Sequence, residues 1–213
     1  MELSAFDLDD TLIRGNCSAG FCRYLHKQKV LPASVIWLSL FYSIRHRFFG
    51  MSLTELHESV FEKVLRGKPL EMLEKYVDTF VKDYVNGSLY MPAFARLKKA
   101  QQLGHYTMIL SNSPSFLVQR FAKALGVNAY YATEYTLDEQ NRFMKIRRIL
   151  EGKDKAEQIK KIAKKLGVFW EKIHAYSDSV LDLEFLKVAG NPTAVNPDRK
   201  LREISLQNQW SII

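Results

Sequence analysis

The stretch DLDDTL, Asp7 to Leu12, follows the short apolar run Leu3 to Phe6 and decides how the rest of the chain is read. A run of that length, interrupted only by Ser4, predicts a buried strand starting almost at the N-terminus. Alternate residues of a strand share a face, so Asp7 and Asp9 can converge on one point just past its end. Two carboxylates held that close repel each other. A hard cation with oxygen ligands, most simply Mg2+, would neutralise them and leave room for a phosphate oxygen. One carboxylate could then attack phosphorus while the other handles protons. Alone, the same residues also fit a plainer reading in which acidic side chains at a strand end cap the following turn.

Three later stretches tip the balance. YTMILSNS places Ser111 at the end of an apolar run, GKDKAE opens a helix around Lys155, and KIHAYSDSVLD carries Asp178 and Asp182. In an open parallel sheet, polar groups that follow strands line the carboxyl edge, where ligands bind. Taken in order, these motifs resemble the haloacid dehalogenase superfamily, and within it the phosphoserine phosphatase-like branch with a helical cap after the first motif. The resemblance runs from Asp7 to AVNPDRKLRE, Ala194 to Glu203.

The resemblance implies an α/β fold: a Rossmann-like core with a parallel sheet in residues 1–14 and 89–213, and an α-helical cap in 15–88. It implies a phosphoric monoester hydrolase in which Asp7 is the nucleophile, Asp9 the general acid and base, and Lys155, Ser111 and Asn112 bind the phosphoryl group. Mg2+ would be held by Asp7, Asp9 through its backbone carbonyl, and Asp178, with Thr11 and Asp182 supporting that shell. The KAE context and the 23-residue interval to Asp178 favour Lys155 as the motif lysine, with Lys153 as the alternative. Family members usually carry Gly where this chain has Ser177, a position where the backbone angles open to Gly would be harder for Ser.

Local signals fill in the core. Helix patterns cover Pro92–Leu103 and Ser113–Leu125, with Ser113 capping the second and Pro114 in its first position. Residues 133–150 alternate around a polar turn at Asp138–Asn141 and predict a hairpin. Asp154 with Glu157 reads as a cap that puts Lys155 in the first turn of the next helix. Asp10 reads as a spacer that faces elsewhere.

At 213 residues and 47% hydrophobic, the chain is long enough for one full core with a sizeable insertion. Cys17 and Cys22 have no partners in metal-ligand spacing and follow no secretory signal, so they read as reduced thiols of a cytoplasmic protein. The net charge of +8 suits nucleic acid, an anionic membrane or a phosphorylated substrate, but no nucleic-acid motif accompanies it. Lys160, Lys161, Lys164 and Lys165 read as the solvated face of an amphipathic helix.

Between Thr11 and Thr54 there is no Asp or Glu, while Arg14, Arg23, Lys27, Lys29, Arg45 and Arg47 are all present. Within that stretch VIWLSLFYSI, Val35 to Ile44, is too short to span a membrane. It reads first as a buried cap helix, and second as a helix that meets a membrane surface or a lipid-like substrate. Phosphoserine phosphatases read the substrate's ammonium with an acid nine positions after the nucleophile, and here that position is Asn16. The expected substrate is therefore a small-metabolite or lipid phosphate, with phosphoserine less favoured. The competing class is a peripheral membrane or anionic-lipid-binding protein that uses the same fold.

Overall fold

The structure, a computed structural model, describes residues 1–48 and 50–213. Side chains at 39, 43 and 45–48 lie outside that description, and with them the basic flank Arg45, His46 and Arg47. The core elements are β1 (Leu3–Phe6), α5 (Met91–Gln102), β2 (Tyr106–Pro114), α6 (Ser115–Leu125), β3 (Ala129–Leu137), β4 (Phe143–Arg148), α7 (Gly152–Leu166), β5 (Ile173–Ser177), α8 (Leu183–Lys187), β6 (Asn191–Ala194), α9 (Arg199–Gln207) and β7 (Ser211–Ile212). Between β1 and α5 the chain forms α1 (Cys17–Lys27), α2 (Ala33–Phe48), α3 (Leu53–Val60) and α4 (Leu70–Ser88).

The strands form one sheet in the order β4-β3-β2-β1-β5-β6-β7. All neighbours are parallel except the β3–β4 hairpin. This is the α/β architecture expected. β1 is central and all four of its residues are buried, because helices cover both faces of the sheet. Side-chain alternation splits the core in two: Phe6 and Ile109 pack on one face, and Leu3, Ala5, Met108 and Leu110 on the other. In the hairpin turn, Asp138 accepts bonds from the Gln140 and Arg142 backbone N–H groups at 3.0 and 2.8 Å.

Two helix starts differ from expectation. β2 runs on through Ser113, so α6 begins at Ser115 after Pro114, without a side-chain cap. α7 begins at Gly152 behind Glu151, and Asp154 pairs with Arg148 at 2.7 Å instead of capping. In both cases a tertiary partner claims the side chain that the local pattern assigned to a cap.

The helices between β1 and α5 join the sheet through two passages that lie side by side. Ile13 bridges Leu89, the Tyr90 N–H donates to Leu12 O at 3.0 Å, and the Arg14 N–H donates to Ser88 O at 2.6 Å. α1 and α4 approach closely at Gly20, where a Cβ would sit 2.7 Å from the Tyr84 ring. A capping box of Ser52 and Glu55 opens α3.

α2 departs from the reading of a buried cap helix. Val35 is buried, but Trp37, Leu40, Phe41 and Ile44 are 70%, 49%, 54% and 42% exposed. Their spacing puts all four on one face. α2 packs against α1 and α3.

Candidate active site

The carboxyl edge of the sheet gathers the residues that the motifs singled out. Asp7 follows β1, and its N–H donates to Tyr176 O of β5 at 2.9 Å, which holds the strand end in register. Its side chain is buried, and Oδ1 accepts from Lys155 Nζ at 2.7 Å. The same ammonium donates to Asp182 Oδ2 at 2.7 Å. Burial alone would neutralise Lys155, but the carboxylates of Asp182 and Asp7 outweigh it and hold the lysine charged. Lys153, the alternative, is exposed.

A glycine makes this reach possible. A Cβ on Gly152 would run into Leu181 O and lie 3.2 Å from Asp182 Cα. The start of α7 therefore lies directly against the loop that carries Asp182, and Lys155 enters the site from it. Ser177 is not among the residues with positive φ, so the backbone does not need Gly there. Its hydroxyl donates to Asp182 Oδ2 at 2.7 Å, which gives that carboxylate a second fixed donor.

Asp9 has a different environment. Its Oδ1 accepts from the Cys17 N–H at 2.6 Å, and its Oδ2 from Ser113 Oγ at 2.6 Å and Ser111 Oγ at 3.3 Å. Burial pushes the Asp9 carboxyl up, while the bonds from Cys17 and Ser113 pull it down without cancelling the shift. Next along the chain, Asp10 turns outward. It adopts φ 55° and accepts from the Gly15 N–H at 2.7 Å, closing the turn into α1.

Thr11 Oγ1 donates to Asp178 Oδ1 at 3.0 Å. Burial raises the Asp178 carboxyl to about 7, helped by Asp10 and Asp182 and opposed by the Thr11 bond. Its loop is pinned from outside by Asp198, which accepts from the Val180 N–H at 2.7 Å and whose own N–H donates to Asp178 O at 2.8 Å. The Asn112 backbone carbonyl accepts from Thr133 Oγ1 at 2.6 Å.

Sequence reasoning missed Ser113 as a partner of Asp9, because a Ser-Pro pair before a helix looks like a cap. Ser113 Oγ also lies 3.0 Å from Ser18 Oγ. Cys17 supplies its backbone N–H, and burial with Asp9 nearby pushes its thiol well up, so the sulfur stays protonated. Cys17 and Cys22 form no disulfide.

Residues 5–187 match the sequence profile of the haloacid dehalogenase-like hydrolases. The chain belongs to that family and is a hydrolase of that kind. Among relatives, a Streptomyces azureus protein named for inhibition of morphological differentiation is 24% identical over 211 residues, covering 98% of this chain and 76% of its own length. Among solved structures, a Bordetella pertussis Tohama I protein of unknown function superposes with TM-score 0.87 at 22% identity, over 99% of this chain and 97% of its own. A phospho-aspartyl intermediate analogue of phosphoserine phosphatase superposes with TM-score 0.73 at 20% identity, over 99% and 91%. At these identities the two structures establish the fold.

Proposed function

We propose that the chain is a Mg2+-dependent phosphatase that hydrolyses a phosphate monoester through an aspartyl-phosphate on Asp7. The carrying observation is that two carboxylates from one strand end meet unlike partners: Asp7 faces an ammonium, whereas Asp9 faces two hydroxyls and a backbone N–H. Burial pushes both carboxyls up, and Lys155 pulls Asp7 back towards the charged form a nucleophile needs, while Asp9, with neutral donors, is the proton carrier. Asp7 attacks phosphorus while Asp9 gives its proton to the departing ester oxygen. Asp9 then takes a proton from the water whose oxygen attacks the phosphorus, breaking the bond to Asp7 and freeing inorganic phosphate. Lys155 would balance charge on Asp7 and on the transferring group, and Ser111 with the Asn112 segment would hold phosphoryl oxygens.

The donor set fits a hard divalent cation. Asp7 and Asp182 share the one ammonium of Lys155, and the carboxylates of Asp9 and Asp178 beside them have neutral donors, Cys17, Ser113 and Ser111 for the first and Thr11 for the second. Asp7, Asp178 and the Asp9 carbonyl are the oxygens that would hold Mg2+, which supplies charge neutralisation at the phosphoryl oxygens.

For the substrate, a specific observation favours an apolar or lipid-like phosphate. Asn16 spends its side chain capping α1 through the Ala19 N–H at 2.9 Å, so no acid stands there to pair with an ammonium. The exposed face of Trp37, Leu40, Phe41 and Ile44 lies in a stretch free of Asp and Glu, which suits an anionic membrane surface where such a substrate resides. No described helix is long and apolar enough to cross a membrane. The deciding experiment is a phosphate-release screen over diverse monoesters with and without Mg2+, run alongside Asp7→Asn. Release that needs both Mg2+ and Asp7 supports the proposal, and Mg2+-independent release or full activity in a folded Asp7→Asn protein refutes it.

A further inference from the structure

Glu2, His105 and His174 meet at the amino-terminal edge of the sheet, opposite the catalytic edge. Glu2 precedes β1, His105 precedes β2, and His174 is the second residue of β5, so three adjacent strands each contribute one side chain. Glu2 Oε2 lies 2.7 Å from His174 Nε2 and 3.6 Å from His105 Nε2, and the two imidazoles stack with centroids 5.3 Å apart. One ligand atom from each residue falls within 4.8 Å of the others. All three side chains are partly buried, which leaves a side open to solvent.

We propose that this cluster is a second metal site, one that binds a borderline transition dication such as Zn2+. Two imidazole nitrogens and one carboxylate oxygen form a donor set that suits zinc and is a poor match for Mg2+. Tetrahedral bonds of about 2.0 Å place ligand atoms about 3.3 Å apart, between the two separations seen here. His105 also has the outer partner that metal-bound histidines usually have: Ser4 Oγ sits 2.9 Å from its Nδ1, which fixes the ring with Nε2 facing Glu2. The fourth position falls to water from the open side. Five residue steps of extended chain lead from Glu2 to Asp7, roughly 16 Å, so the ion ties strands together and takes no part in the reaction.

The test uses the full chain without a polyhistidine tag, in excess Mg2+ to fill the catalytic edge. Titration with Zn2+ is expected to give one Zn2+ per chain that Mg2+ does not displace, together with a raised Tm. Co2+ is expected to give the visible spectrum of imidazole coordination and to be expelled by Zn2+. The His105→Gln/His174→Gln pair should abolish uptake, and Ser4→Ala should weaken it about tenfold, with Mg2+-dependent hydrolysis intact in each. If the double variant misfolds, Glu2→Gln carries the test with the same expected loss of affinity. Zn2+ uptake unchanged by these substitutions, or a wild type that binds no Zn2+ beyond what Mg2+ displaces, overturns the proposal and leaves Glu2 as the hydrogen-bond partner of His174 alone.

Discussion

Lys155 Nζ reaches Asp7 Oδ1 at 2.7 Å across 148 residues of sequence, and both side chains are buried. The lysine's second bond, to Asp182, makes it the shared counter-charge of two carboxylates that solvent hardly reaches. Its removal costs more than its own contribution, because two acids are then left without their partner.

Lys155→Ala is therefore expected to destabilise the fold by about 3–5 kcal/mol and to reduce hydrolysis of an aryl phosphate severely. Lys153→Ala, on the exposed side of α7, should change stability by less than about 0.5 kcal/mol. Denaturant midpoints and rates measured on both variants check this, and the reverse order would mean that Lys153 is the functional lysine.

Gly152→Ala leaves every charged group in place but pushes α7 off Leu181 and Asp182. Overpacking of this kind costs about 1–3 kcal/mol. A displacement of Lys155 by about 1 Å is expected to lower kcat about a hundredfold. Normal kcat in this variant would show that the contact is slack.

Asp9→Asn should lower turnover about 10²- to 10⁴-fold while the fold is kept. Ser113→Ala acts on the same carboxyl more gently. It removes a bond that holds the Asp9 proton affinity down, so the limb of the pH–rate profile governed by Asp9 should move to higher pH. A limb that stays in place or moves down would detach Ser113 from proton transfer.

Stability should respond to pH and Mg2+ together. Without the ion, the Asp178 carboxyl is raised to about 7, against about 4 in an unfolded chain. The folded state then holds a proton that the unfolded state has lost, so this group's contribution falls as pH rises from about 4 to about 7. Mg2+ favours the ionised form, and its gain in Tm should grow over the same range. Thermal unfolding in EDTA and in Mg2+, with Asp178→Asn as reference, reads the difference directly.

The α2 face gives a prediction about substrates. Long-chain alkyl phosphates should show higher kcat/KM than phosphoserine, since binding energy away from the phosphate can be used in the transition state. Trp37→Ala with Phe41→Ala should erase that preference, spare a small aryl phosphate, and reduce sedimentation with anionic vesicles. Equal losses on all substrates would return this face to a role in folding.

What could be read from the sequence was local, or repeated at strand ends. Asp7, Ser111 and Asp178 follow apolar runs, and the parallel sheet brings such positions to one edge without further information. The cap signatures at Ser113 and Asp154 misled because each side chain had a stronger partner far away or around a corner, Asp9 for one and Arg148 for the other. Gly152 gave no signal, since its role depends on a loop some thirty residues further along. The Glu2–His174 contact spans 172 residues and belongs to no motif. The exposure of α2 was hidden for another reason: an apolar run predicts a helix but not whether anything packs over its outer face.

Asp9 is gripped from two directions at once, by hydroxyls of β2 in the core and by the first N–H of α1. A displacement of α1 takes one donor from the carboxylate, and the loss raises its affinity for a proton. By reciprocity, a proton arriving on Asp9 loosens the hold on α1 by the same free energy. Proton occupancy at Asp9 and the position of α1 are two readings of one equilibrium, so a dye or isotope label that follows the helix would also report when the acid is loaded.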